Sequence, residues 1–334
     1  MKSFTIGFFS LFLFLIGWIN VESNFDQRGV QTVLEKLGEG NSPNVLIPIR
    51  KASIAHGEQL VKFGFTTNKN GAKGKKQSKH FVCTSCHNLE PEQYDLSASN
   101  AQAKLDYAIE NNIPLLQGTT LYGVVNRTSF YNDDYFKKYG ELTLKARHDI
   151  RNSIQLCAVE CAQGRPLKDW EIESILAYLW TLELKMDDLN LSKDEISKIN
   201  LASKRGTNTE DAIEKIKSKY LEKSPATFMY PPENRKEGFD LKGDPKNGEK
   251  IYQASCLYCH KNGRYSFFSL DETKYSFKYL QKHVDRYSPY SIYQVTRYGT
   301  SPMNGKKSYM PYYTKEKMSN QMIEDLRAFI QSKS

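Results

Sequence analysis

Cys83-Thr84-Ser85-Cys86-His87 constrains this chain more than any other stretch, because it recurs as Cys256-Leu257-Tyr258-Cys259-His260. Paired thiols followed directly by a histidine are the attachment pattern for c-type haem. The thiols add across the two vinyl groups, and the adjacent imidazole binds iron. A dithiol redox pair or half of a zinc site shares only the Cys-x-x-Cys part. Each copy here carries the histidine and opens a stretch long enough for a small helical domain. The reading is therefore two covalently bound haems c, held by Cys83, Cys86 and His87 and by Cys256, Cys259 and His260.

The chain has 334 residues, 39% of them hydrophobic, which suits two modest domains better than one. The expected fold is all-α: cytochrome c-like domains over residues 45–185 and 241–334, joined by a charged connector over 186–240. The first residues read Met1-Lys2, an apolar run from Phe4 to Ile19, then Val21-Glu22-Ser23. That is the pattern of an export signal over residues 1–23 and implies a periplasmic protein, with an uncleaved membrane anchor as the alternative. Haem attachment outside the cytoplasm agrees with it. The net charge of +9 favours a small anionic substrate or an acidic redox partner, soluble or membrane-bound, through electrostatic steering. Nucleic acid is a poor partner for an exported haem protein.

Residues 24–50 read as an irregular lead-in. Gly57 to Phe63 reads as the first helix of domain one, followed by a lysine-rich, glycine-containing loop from Thr66 to Lys79 whose composition is that of a solvated segment. Helix is expected from Glu141 to Val159. A last helix capped by Asp169 carries Ile172, Ile175, Leu176, Leu179 and Leu182 on one stripe. The connector holds one expected helix, Thr209 to Tyr220. Domain two opens with a helix over Lys246 to Ala254 that runs into Cys256, and closes with one capped by Ser319, lined by Ile323, Leu326 and Ile330. In each domain the first helix should cross the last.

The chemistry turns on the second axial ligand. For haem two, Met310 precedes Pro311-Tyr312-Tyr313 shortly before the last helix, and Met303 is the runner-up. Thioether ligation raises the potential and suits an electron acceptor. Between His87 and the end of the last helix, domain one has no methionine. Its candidates are Cys157, Cys161 and His148, or an open site; a Cys157–Cys161 disulfide, which would leave neither thiol for iron, is the alternative in an oxidising compartment.

The run Cys157-Ala158-Val159-Glu160-Cys161-Ala162-Gln163-Gly164-Arg165-Pro166-Leu167, with the helix after it, resembles the tetrathionate-forming thiosulfate dehydrogenases and the related sulfur-oxidation protein SoxA. The family's distal cysteine stands seven residues before its Gly-Lys/Arg-Pro-Leu, and matching on Gly164-Arg165-Pro166-Leu167 gives that role to Cys157. The residues between, Glu160-Cys161-Ala162-Gln163, depart from the family's usual Arg-Ser-Met-Asn. The resemblance implies thiosulfate oxidation at haem one and electron exit through haem two. The alternative is a di-haem carrier without substrate chemistry. A dianionic substrate requires cations, and Arg127, Arg147 and Arg151 are the candidates in the middle of domain one.

Overall fold

A computed structural model describes residues 25–300 and 309–333. The expected export segment and Met303 lie outside the described residues. Among the described residues the fold is helical, with isolated β-bridges and no strand. The first part of the chain forms α1 (Val30–Leu37), α2 (Ile54–Phe63), α3 (Ala101–Glu110), α4 (Asp133–Tyr139), α5 (Ile150–Leu156) and α6 (Asp169–Trp180). The middle forms α7 (Lys193–Arg205) and α8 (Thr209–Lys217). The last part forms α9 (Pro245–Ile251), α10 (Leu257–His260), α11 (Lys274–Val284), α12 (Ile292–Tyr298) and α13 (Asn320–Ser332). None of these helices is long and apolar enough to cross a membrane.

Both expected helix crossings are present, and each is built around one glycine. A Cβ on Gly57 of α2 would stand 1.8 Å from the Ser174 carbonyl oxygen of α6. A Cβ on Gly248 of α9 would stand 2.0 Å from the Asp325 carbonyl oxygen of α13. Only hydrogen fits at either contact, so the backbones approach as closely as packing allows. The stripe read on α6 then closes the first core, where Ile175, Leu176 and Leu179 are buried with Leu60, Val61 and Val125. Ile323, Leu326 and Ile330 of α13 close the second with Ile251 and Tyr252. Ser53 caps α2 by accepting from the His56 N–H, and Ser319 caps α13 by accepting from the Met322 N–H.

Several expectations are corrected. Residues 24–50 are not merely irregular: α1 buries Val30, Val33, Leu34 and Leu37. These meet Met186, Leu189, Ile199, Ala202, Ala212 and Ile216 in a third core, so the connector is a small helical subdomain with the lead-in as its partner. Its charge hid this, because short amphipathic helices keep most positions in water. Packing also reaches across the expected boundary between 45–185 and 241–334: Ala101, Leu105 and Ala108 of α3, with Leu115, pack into the second core. The helix expected over 141–159 is broken into a 3₁₀ turn at Gly140–Thr143, α5, and a wider π-turn at Cys157–Cys161. Asp149 forces the restart, its carboxylate accepting from the Arg151 and Asn152 N–H groups. Finally, α6 is capped from Lys168 rather than Asp169, the Lys168 N–H donating to Glu171 Oε2 at 2.8 Å.

Candidate haem sites and a thiol turn

The two motif histidines share one arrangement. His87 follows a 3₁₀ turn at Cys83–Ser85, and its Nδ1 donates to the Thr119 carbonyl at 2.6 Å. His260 ends α10, and its Nδ1 donates to the Phe268 carbonyl at 2.7 Å. A carbonyl can only accept, so each Nδ1 carries the proton and each Nε2 keeps its lone pair for a metal. Burial holds both imidazoles below their ordinary pKa, in the neutral form that ligates. Gly118 allows the His87 ring its place, since a Cβ there would lie 2.5 Å from the ring.

The four motif cysteines are free thiols. Burial pushes Cys83 and Cys259 up to about 11 and Cys256 to about 12, with Cys86 higher still. They sit as free thiols in apolar surroundings, which suits thioether attachment. Among the described residues no group of His, Cys, Asp and Glu gathers as a metal-ion site. Donor set, tautomer and thiol state therefore fit a covalently held haem at each motif.

The motifs also touch one another. The Tyr258 hydroxyl, inside the second motif, donates to the carbonyl of Thr84, inside the first, at 3.3 Å. Around this junction the two cores are tied directly. Leu115 N–H donates to Ala254 O at 3.0 Å, Tyr313 hydroxyl to Leu115 O at 3.3 Å, and the Gln102 and Asn247 amides pair reciprocally at 3.0 and 2.9 Å. Lys317 Nζ lies 2.5 Å from both Glu92 carboxylate oxygens, with both residues buried. A buried pair of this kind is costly to split, so it fixes how the two halves sit.

Beside the first motif, the π-turn Cys157–Cys161 is closed by Ala162 N–H donating to Cys157 O at 2.8 Å. Such local widening recurs where a helix presents functional side chains. Cys157 is half-buried, Cys161 is exposed, and both are free thiols rather than a disulfide. A hydrogen bond with Cys157 holds the Cys161 thiol well above its ordinary range, and the charges of His87 and Cys161 act on each other. The end of the lysine-rich loop grips this turn: Gln77 Nε2 donates to Ala158 O at 2.6 Å and Ser78 Oγ to Ala162 O at 2.5 Å. From the other half of the molecule, the Tyr309 hydroxyl donates to Cys161 O at 2.9 Å while its ring packs edge-on against Phe81. Burial raises Tyr131, Tyr135, Tyr139 and Tyr309, with the two thiols adding to each shift except at Tyr139, where Cys161 alone adds.

The three candidate arginines do not gather at the thiols. Arg147 pairs with Asp133 at 2.5 Å. Arg151 is held by Glu173 and by Val45 O, the latter at 2.7 Å. Arg127 donates to Ser224 Oγ at 3.0 Å and lines a cleft with Glu92, Lys104 and Thr119. Their carboxylate and hydroxyl partners come from distant parts of the chain, so neighbouring residues gave no hint of them. Arg165 of the Gly-Arg-Pro-Leu run makes a two-pronged pair with Glu171 at 2.6 and 2.8 Å. His148 is exposed, with Nδ1 on Thr128 O at 3.1 Å. Met310 is pinned by its backbone, accepting from Thr300 N–H at 3.0 Å and donating to Thr300 Oγ1 at 2.9 Å.

Sequence reasoning missed Thr119 and Phe268, which act through carbonyls that any residue carries, and Gln77, Ser78, Tyr258 and Tyr309. Only Tyr258 stood inside a motif that pointed to it. Comparison of the whole chain with curated proteins and with solved structures found no match. Residues 243–330 match the family model described as cytochrome c oxidase, cbb3-type, subunit III. With Cys256-Leu257-Tyr258-Cys259-His260 inside the matched stretch, the match supports an electron-transfer unit of c-type cytochrome kind in the C-terminal part of the chain.

Proposed function

We propose that the chain is an exported, periplasmic di-haem cytochrome c that oxidises thiosulfate to tetrathionate at the His87 site and releases electrons through the His260 site to a redox partner. The observation that carries the two-haem part is the repeated imidazole-to-carbonyl bond at His87 and His260, in motifs that abut. The substrate part rests on the thiol turn beside the first motif and on the resemblance of Cys157 to Leu167 to the thiosulfate dehydrogenases. When bound, the haems supply one-electron redox chemistry. Two thiosulfates joined sulfur to sulfur give tetrathionate and two electrons with no proton released, so two one-electron centres match the stoichiometry.

In this reading Cys157 is the distal donor on the first site and Met310 on the second. Gln77, Ser78 and Tyr309 hold the backbone of the thiol turn, so Cys157 and Cys161 are presented by a fixed scaffold. The second reading, a di-haem carrier without substrate chemistry, is favoured by the engagement of Arg147 and Arg151 with carboxylates, which withdraws the expected cations.

The test is addition of thiosulfate to the oxidised holoprotein, with Cys157→Ala and Cys161→Ala alongside. The enzyme reading expects reduction of haem absorbance in the wild type, its loss in Cys157→Ala with both haems still attached, and a low-spin thiolate signal in electron paramagnetic resonance that disappears with it. Wild-type protein that thiosulfate does not reduce establishes the carrier. Loss in Cys161→Ala alone moves the donor to Cys161.

A further inference from the structure

We infer that Tyr258 is the positioning residue for electron exchange between the two haem sites. The inference rests on the reading that both motifs carry haem. Residues between the two cysteines of an attachment motif are within two positions of both sulfurs, so they would border the group those sulfurs would hold. Tyr258 occupies that position in the second motif and Thr84 in the first, and the phenol of one donates to the carbonyl of the other at 3.3 Å across 174 residues of chain. The two attachment motifs are therefore brought together, with Tyr258 at their junction.

The contact is built rather than incidental. The Tyr258 ring is held from one side by the Arg264 guanidinium, 4.2 Å from its centroid, and packs against Tyr265 at 5.9 Å. Its hydroxyl therefore has a fixed aim. Behind it, Leu115 and Tyr313 link the helical turn that runs into the second motif to the irregular segment after α3, through the Ala254 and Leu115 carbonyls. The buried Lys317–Glu92 pair holds the same two halves from a separate point. With several ties elsewhere, the domains stay docked without Tyr258, so its specific role is the spacing and register of the motifs themselves.

The experiment uses the intact holoprotein. Haem content is first read by mass, and then one site is reduced by a light pulse and the equilibration between sites is followed by absorbance. Tyr258→Phe, which deletes only the hydroxyl, should slow equilibration several-fold; Tyr258→Ala should slow it about tenfold or more, as a small misplacement of a positioned pair does. The magnetic coupling between the two oxidised sites should weaken in parallel, while the absorbance and midpoint potential of each stay in place. Gln102→Ala, at the same interface but away from the motifs, should leave the rate unchanged. Two haems with an unaltered rate in Tyr258→Ala overturn the inference and leave the di-haem reading standing. A mass corresponding to one haem in the wild type overturns the di-haem reading itself. Equal slowing in Gln102→Ala overturns the inference by showing that the whole interface, not Tyr258, sets the rate.

Discussion

The two haem-motif regions share one plan and differ in what accompanies it. Each crosses its first and last helices through a single glycine, Gly57 on Ser174 and Gly248 on Asp325, and each fixes its histidine by an Nδ1-to-carbonyl bond. Elsewhere they differ. Region one offers a widened turn with two thiols, gripped by Gln77 and Ser78. Region two offers a methionine whose backbone is pinned to Thr300. Independence differs as well: the second core borrows α3 from the stretch between the first motif and its last helix, so the halves are interlocked rather than strung together.

Interlocking is the claim that is easiest to break. Lys317→Met leaves the Glu92 carboxylate buried without its cation, and should cost about 3–5 kcal/mol in urea unfolding. Adding Glu92→Gln should recover much of that loss; a single variant within experimental error of wild type would mean that the halves are not held by this pair.

The shared plan predicts matched damage. Gly57→Val and Gly248→Val each force a helix pair apart, at about 3 kcal/mol. Circular dichroism melts of both variants should drop together, and a variant that leaves its domain unperturbed would show that the crossing is not the common scaffold.

Lys104, buried on α3 at the borrowed interface, gives a pH test. Burial lowers its ammonium from 10.5 to about 8. Between those values the unfolded chain keeps a proton that the folded chain has released, so stability should rise with pH across that window. Urea midpoints at about pH 7.5 and about pH 10 should show wild type gaining on Lys104→Met. A constant gap would mean that α3 does not bury this amine.

The smallest effects sharpen the comparison at the helix caps. Ser53→Ala and Ser319→Ala each remove one side-chain acceptor from a helix N-terminus, and each should cost about 1 kcal/mol by thermal unfolding. Unequal losses would show which region tolerates fraying of its crossing helix.

Much of this was legible in the residues. The Cys-x-x-Cys-His pairs, the 3.6-residue stripe of α6 and the Ser319 cap depend on spacings along a few turns of chain, and local spacing survives folding unchanged. The apolar stripe of α1 was legible and overlooked, since Val30, Val33, Leu34 and Leu37 stand at helical spacing; what the residues did not show is that this face packs against the charged middle. The arginines failed for the same reason: Arg151 finds Glu173, and Arg127 finds Ser224, across separations that no pattern in the sequence encodes. Sequence alone determined which side chains can take haem and which helices must cross. Tertiary structure alone decided that the motifs touch through Tyr258, that Tyr309 reaches the thiol turn, and that Thr119 and Phe268 orient the histidines. Those contacts run through backbone carbonyls and long-range packing, and a carbonyl leaves no mark in the identity of its residue.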